Sequence, residues 1–347
     1  MSDLFTLPVM LAGVIIVSLN AYVLLAGADF GGGVWDFFAT GERRVRQRTL
    51  IADAIGPVWE ANHVWLILVV VLLFTCFPGA FAAISVTLHI PLLVMLVGIV
   101  MRGAAFTFRT YDSQRDEVQR RWGRIFAIAS LVTPIVLGVC VGAIAAGRVH
   151  GENAAGFASA GFLASYVTPW LTGFGFAIGV TTLALFAQLA AVYLTVEARD
   201  TDLQDDFRRR AHIAQGVALV AAGLALILAR RDAPNISRGL LEGWHAVPLL
   251  LAVALSALWT ALSLRQRTFH AARIGAAAQA TAILWGWPLA QFPWLLPPDV
   301  SIADAAAPAT TLRPVLITLG VGALLLLPSL AYLFRVFKSS TAVAKPS

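Results

Sequence analysis

Charge is what this 347-residue chain has least of: only 13% of its residues are Asp, Glu, Lys or Arg, against 59% hydrophobic. That balance excludes an ordinary soluble domain and predicts an integral membrane protein. Cysteine is scarce as well. Cys76 and Cys140 both fall inside apolar runs, where a thiol behaves as a small buried hydrophobe, so neither a disulfide framework nor a thiol metal site is predicted. No HExxH, CxxCH or Cys/His cluster occurs, and the glycines at 31–33 lack the strand-turn-helix context of a nucleotide loop. The opening MSDLF has no basic n-region and leads into an apolar run too long for a signal peptide, so the first span is expected to stay in the mature protein. The net charge of +6 could suggest nucleic acid, but no basic face with stacking aromatics accompanies it. The basic residues instead form short clusters between apolar runs, as in loops that face anionic headgroups.

What is present is a series of apolar runs. A helix needs about 20 apolar residues to cross the hydrocarbon of a bilayer. Spans are predicted near 5–28, 51–75, 80–102, 125–147, 161–195, 211–229, 243–264, 274–295 and 314–334, about nine in all. The fifth is overlong, and Pro169 is expected to interrupt it between Tyr166 and Trp170. The expected architecture is all-α: a first four-helix bundle over 1–150, a second over 151–300, and a ninth, peripheral helix with a tail over 301–347. Alternate loops carry the arginines: Arg43, Arg44, Arg46 and Arg48; then Arg109 through Arg124; then Arg199 and Arg208–Arg210; then Arg265, Arg267 and Arg273. By the positive-inside rule the N-terminus is outside and the C-terminus cytoplasmic. The two groups of four helices then enter the membrane in the same sense, which allows a parallel repeat. Gly138 with Gly142 and Gly175 with Gly179 suit close helix packing, a common and unspecific motif.

Two acids interrupt this pattern. Asp29 closes the uncharged stretch from Leu4 to Ala28, and Glu60 stands just before the uncharged stretch from Ala61 to Met101. An acid at bilayer depth costs about 2.5–3.5 kcal/mol on insertion scales, so it needs a counter-charge, water or a proton to carry. In the orientation above Asp29 lies at the cytoplasmic end of the first helix. Glu60, about ten residues into the second, lies roughly 15 Å deep. Asp53 and His63 share its helical face, so Asp53, Glu60 and His63 form a candidate proton track from the cytoplasm. The plainer alternatives are that Asp53 is interfacial, that Asp29 with its glycines is a helix C-cap, and that Glu60 is an ion-pair partner. Arg102 is the candidate counter-ion, or else a snorkelling anchor. Trp59 and Trp65 flank Glu60 and could shape a pocket, although an aromatic belt or packing is the plainer reading.

The first half carries four motifs in order: LAGADFGGGVWDFF, ADAIGPVWEANHVWLI, FPGAF and IPLLVMLVGIVMRGAAFTFR. Together they resemble subunit II of the cytochrome bd-type quinol oxidases over about residues 19–110, with only span pattern and length agreeing beyond. The resemblance implies a terminal oxidase that oxidises membrane quinol and reduces dioxygen to water, taking its chemical protons from the cytoplasm. It implies that haem b and haem d, with the quinol-oxidising loop, belong to a partner subunit I, and that this chain scaffolds that partner in a bacterial inner membrane. It implies further a role in proton delivery for the acids that match Asp29 and Glu60, a structural quinone in some members, and in some a small single-helix third subunit. Asn62 and Trp59 fall in the PVW[DE]xN motif as candidate structural partners. The chain departs from many members at Trp59-Glu60-Ala61-Asn62-His63, where WDGNQ or WEGNE is usual, and at Phe106-Thr107-Phe108-Arg109, which lacks their acid. The first departure and the short length lean toward the cyanide-insensitive branch. A proton-coupled secondary transporter is the competing reading of acids at membrane depth.

Overall fold

The computed structural model describes residues 6–55, 59–111, 116–150 and 161–340, leaving aside the side chains at 59–61, 109–111, 116–119, 333–334 and 336–340. In chain order the elements are α1 (Leu7–Phe37), α2 (Arg44–Ile55), α3 (Trp59–Cys76), α4 (Pro78–Thr87), α5 (His89–Tyr111), α6 (Asp116–Ala145), α7 (Gly161–Tyr166), α8 (Gly173–Glu197), α9 (Thr201–Asp232), α10 (Pro234–Glu242), α11 (Ala246–Arg265), α12 (Phe269–Gln291), β1 (Trp294–Leu296), β2 (Val300–Ser301) and α13 (Ala309–Ser340). The fold is that of an all-α membrane protein, with one short antiparallel hairpin. Among the described residues seven helices are long and apolar enough to cross a membrane, or eight if α3 and α4 form one broken span. The expected span over 274–295 corresponds to α12, which falls outside that set because Arg273, Gln279 and Gln291 dilute its apolar run.

Three expected spans have different bounds. The first continues to Phe37 instead of stopping at 28. The second is described in two parts, the polar α2 from Arg44 to Ile55 and the apolar α3 from Trp59, with 56–58 outside the described residues. The third loses its first eight residues to α4, which meets α3 at 118° because Pro78 starts a new helix after Phe77. The fifth breaks near the expected place. α7 ends at Tyr166, and α8 restarts at the N-cap Thr172, whose hydroxyl accepts from the Gly175 amide at 3.0 Å.

α8 is the centre of the assembly, packing against α1, α6, α9 and α12. Its crossing with α6 uses the glycine pairs. A Cβ at Gly138 would lie 2.7 Å from the Gly179 Cα, and one at Gly142 would lie 2.8 Å from the Gly175 Cα. The principal core draws on both halves of the chain, from Leu11, Tyr22 and Phe30 of α1 to Phe186 and Leu189 of α8 and Ala276 of α12. α11 and α13, by contrast, leave apolar side chains such as Leu255, Leu258, Ile317 and Leu324 exposed.

The basic connections meet at one end. Arg43 pairs with Asp206 at 2.7 Å, Arg46 with Asp200, and Arg267 with Asp205 at 2.8 Å, tying together the segments after α1, before α9 and after α11. The hydrogen bond to Asp206 raises the ionisation of Arg43 further above its ordinary value, so it is a fixed cation. At the other end the hairpin is fastened by His150 to Asp299 at 3.0 Å, and the Ala307 amide donates to the Cys76 carbonyl at 2.8 Å.

Candidate functional site

Asp29 is not a helix cap. α1 passes through Gly31, Gly32 and Gly33 and ends at Phe37, eight residues beyond Asp29, or about 12 Å at 1.5 Å per residue. The glycines serve contact, not termination. Cβ atoms at the three positions would lie 1.9 Å from the Phe186 carbonyl oxygen, 2.5 Å from Ile55 Cδ1 and 2.1 Å from Ser130 Oγ, so each glycine admits a different neighbour, α8, α2 or α6. The close approach buries Asp29 to 4% exposure.

Around this carboxylate the fold gathers polar groups from three helices. Asn62, near the start of α3, donates its side-chain amide to Asp29 Oδ2. Arg102 of α5 is 1% exposed, which overturns the snorkelling alternative. α5 runs on past Arg102 to Tyr111, so its side chain turns into the bundle. Its guanidinium carbon lies 4.7 Å from the centroid of Phe30 and 5.2 Å from that of Phe126, between two aromatic faces that favour a cation. Asp29, Arg102 and the phenol of Tyr22 are near enough to interact electrostatically. His63 is half-buried, its ring 6.1 Å from that of Tyr22 and 6.2 Å from that of Phe30. Tyr22 was absent from the sequence expectations. The signal for it was present, since it precedes Asp29 by seven residues and therefore shares its helical face.

Several polar atoms of this cluster are buried without a hydrogen-bond partner among the described residues: Arg102 Nε and Nη2, Asn62 Oδ1 and His63 Nδ1. Buried groups of this kind are ordinarily satisfied by ordered water or a bound group. Chemically, the arrangement can hold one negative charge opposite one positive charge inside a membrane protein, or exchange the negative charge for a proton.

The expected ladder of Asp53, Glu60 and His63 runs through 56–58 and the Glu60 side chain, which lie outside the described residues. Asp53 belongs to α2, where it is exposed at the basic end beside Arg44, Arg48, Arg120 and Arg124. Glu60 is the second residue of α3. The side chains of Glu60 and Trp59 lie outside the described residues, so their expected roles have no geometry here.

His63 of α3 and His89 of α5 have different surroundings. His89 Nδ1 lies 2.9 Å from the Val86 carbonyl, its ring edge-on to Tyr166, while His63 is wedged between Tyr22 and Phe30. These contacts do not fit an axial ligand pair. Among the described residues no group of three His, Cys, Asp or Glu is placed to hold a metal ion. A separate apolar cavity of about 410 Å³ opens between α1, α3, α6 and α12, with Leu19, Leu66, Cys140 and Trp287 in its wall.

Comparison with known proteins gives one answer along the whole chain. A sequence profile described as cytochrome bd terminal oxidase subunit II matches residues 7–337. Cytochrome bd ubiquinol oxidase subunit 2 of Bacillus subtilis is 26% identical over 339 residues, covering 94% of each chain. A putative cytochrome bd menaquinol oxidase subunit II of the same organism is 23% identical over 91% of each chain. Cytochrome bd-I ubiquinol oxidase subunit 2 of Escherichia coli is 29% identical over 224 residues, which is 62% of this chain and 54% of that one. In three dimensions a chain of the bd oxidase from Geobacillus thermodenitrificans superposes with a TM-score of 0.78 at 25% identity, over 96% of this chain and 99% of that one.

Proposed function

Because this chain belongs to the cytochrome bd terminal oxidase subunit II family, and so forms part of a respiratory quinol oxidase, we propose that its own share of the reaction is proton handling at Asp29. The carrying observation is the pairing of the buried Asp29 carboxylate with the Asn62 amide, opposite the buried Arg102 charge. A fixed cation lets the carboxylate exist ionised in a low-dielectric interior, and the amide fixes its orientation. Protonation then neutralises Asp29 without moving the helices. In this reading Asp53, exposed at the basic end, is outermost, Glu60 follows at the start of α3, and Asp29 with His63 and Tyr22 is the inner station. The basic end is cytoplasmic by the positive-inside rule, which places proton entry on that side of a bacterial inner membrane.

The haem groups of the complex, haem b and haem d, are assigned to the partner subunit I, where dioxygen and quinol react; when bound there they supply the electron transfer. The role left to this chain is to pack against that partner and to hold a proton at Asp29. The exposed apolar faces of α11 and α13 are surfaces that lipid, the partner or a small single-helix subunit must cover. The apolar cavity beside α1 and α12 is where a structural quinone would be held on this chain. A proton-coupled secondary transporter, the other reading of buried acids in a membrane chain, is not favoured by the comparisons.

The deciding experiment is oxygen consumption and proton uptake by the purified oxidase complex carrying Asp29→Asn. Normal assembly and haem content with slowed turnover support the proposal. Full turnover with normal proton uptake overturns it.

A further inference from the structure

One site lies apart from this cluster. On α2, Arg44 and Arg48 are four residues apart, and on α6, Arg120 and Arg124 are four residues apart, so each pair stacks one turn above the other on a single face. The fold turns the two pairs toward one another across a cleft of about 610 Å³ at the basic end, where Asp53 is the only acid among the described residues of the wall. Like charges at this spacing repel along each helix, and the facing pair adds to that repulsion. Asp36 relieves Arg48 in part: its carbonyl accepts from Arg48 Nη2 at 3.1 Å, and its carboxylate is 3.6 Å from Nε. Among the described residues of the wall, four arginines face the one acid, Asp53. Such an arrangement is stable when an anion occupies it.

Position and shape indicate which anion. The uncharged run of α6 begins just after Arg124, so Arg120 and Arg124 stand at its edge, at headgroup depth. The same cleft has an apolar side made by Phe37, Val45 and Ala127, with Phe37 49% and Val45 73% exposed. A small hydrated anion would find nothing to do with that side. A ligand with phosphate at one end and hydrocarbon at the other would cover both.

We infer that the cleft between α2 and α6 is a binding site for the phosphate headgroup of an anionic phospholipid, its acyl chains lying along the exposed Phe37 and Val45. Guanidinium groups bind phosphate through paired N–H donors, and basic clefts at the cytoplasmic membrane surface hold such headgroups. The site shares only Asp53, the outermost station, with the proposed proton path, and the arginine variants below leave Asp53, Glu60 and Asp29 in place, so lipid retention is read separately from that proposal.

The test uses the intact oxidase complex after detergent delipidation. Native mass spectrometry counts retained phosphatidylglycerol in the wild type and in R44Q/R124Q, and thermal unfolding is followed on adding phosphatidylglycerol, phosphatidylcholine or inorganic phosphate. The wild type should retain anionic lipid and be stabilised by phosphatidylglycerol alone, while the double variant binds it about thirtyfold less tightly, given the usual contribution of an arginine at a membrane surface. Should R44Q/R124Q fail to assemble, R124Q alone decides by the same measure, with an expected loss of about fivefold. Equal lipid retention in wild type and variant overturns the inference. So does equal stabilisation by inorganic phosphate, which would make the cleft a simple anion site. Loss of the partner subunit with lipid retention unchanged would make it a subunit contact, and overturns the inference too.

Discussion

The Asn62 side-chain amide donates to the Asp29 carboxylate across the α1–α3 contact, linking two positions thirty-three residues apart and both buried. This bond and the nearby Arg102 decide how Asp29 can be tested. Asp29→Asn can still accept from Asn62 but cannot carry a proton. It should leave the complex assembled and lower turnover on the order of tenfold to a hundredfold, at or below the usual range for a lost proton-transfer group. Asp29→Glu should recover part of the rate. Oxygen electrode measurements on purified complex check both.

Arg102→Met removes the counter-charge and leaves a buried carboxylate alone. Breaking a buried pair in this way costs about 3–5 kcal/mol, so assembly yield and thermal stability should fall together. The double variant Asp29→Asn with Arg102→Met should regain part of that loss, because no lone charge remains. If the double variant is as unstable as the sum of the singles, the two groups are not energetically coupled.

The two ends of α1 should respond in opposite directions to the same substitution. Gly31→Ala drives a methyl into the Phe186 carbonyl, forcing α1 from α8 at a cost of about 1–3 kcal/mol or more. Gly13→Ala meets nothing within 4 Å and should gain up to about 1 kcal/mol of helix propensity. Melting curves of the two variants side by side make the comparison.

Trp35 Nε1 donates to the Ala187 carbonyl at 2.7 Å, a buried bond between α1 and α8. Trp35→Phe keeps most of the ring and removes the donor. The expected loss is about 1–3 kcal/mol, the cost of leaving a buried carbonyl unpaired, read as a lower midpoint in thermal unfolding.

Glu60→Gln should preserve assembly and haem content while slowing oxygen consumption, if Glu60 passes protons toward Asp29. Unchanged oxygen consumption and unchanged potential generation in proteoliposomes would remove Glu60 from the path.

The sequence expectations were accurate where a signal is local. The break near Pro169 appears as the end of α7 and the restart of α8, because proline cannot continue a helix. The glycine pairs at 138, 142, 175 and 179 lie at the α6–α8 crossing, because only hydrogen at Cα permits that approach. Expectations that needed knowledge of neighbours did worse. Three successive glycines have poor helix propensity and suggested a stop after Asp29. The packing of α2, α6 and α8 around them keeps α1 helical for two further turns.

By itself the sequence determined the membrane class, the family motifs and the grouping of the arginine-rich loops, because hydropathy, motif order and charge position are sums over neighbouring residues. The tertiary structure alone decided that Asp29 is deep inside α1, that Arg102 turns inward between Phe30 and Phe126, and that Tyr22 joins them. It also brought the arginines of α2 and α6 to one cleft, although more than seventy residues separate them in the chain. The reason is physical: whether a polar side chain on a helix meets lipid, water or another charge depends on which helices pack against it, and that contact is made only by the folded chain.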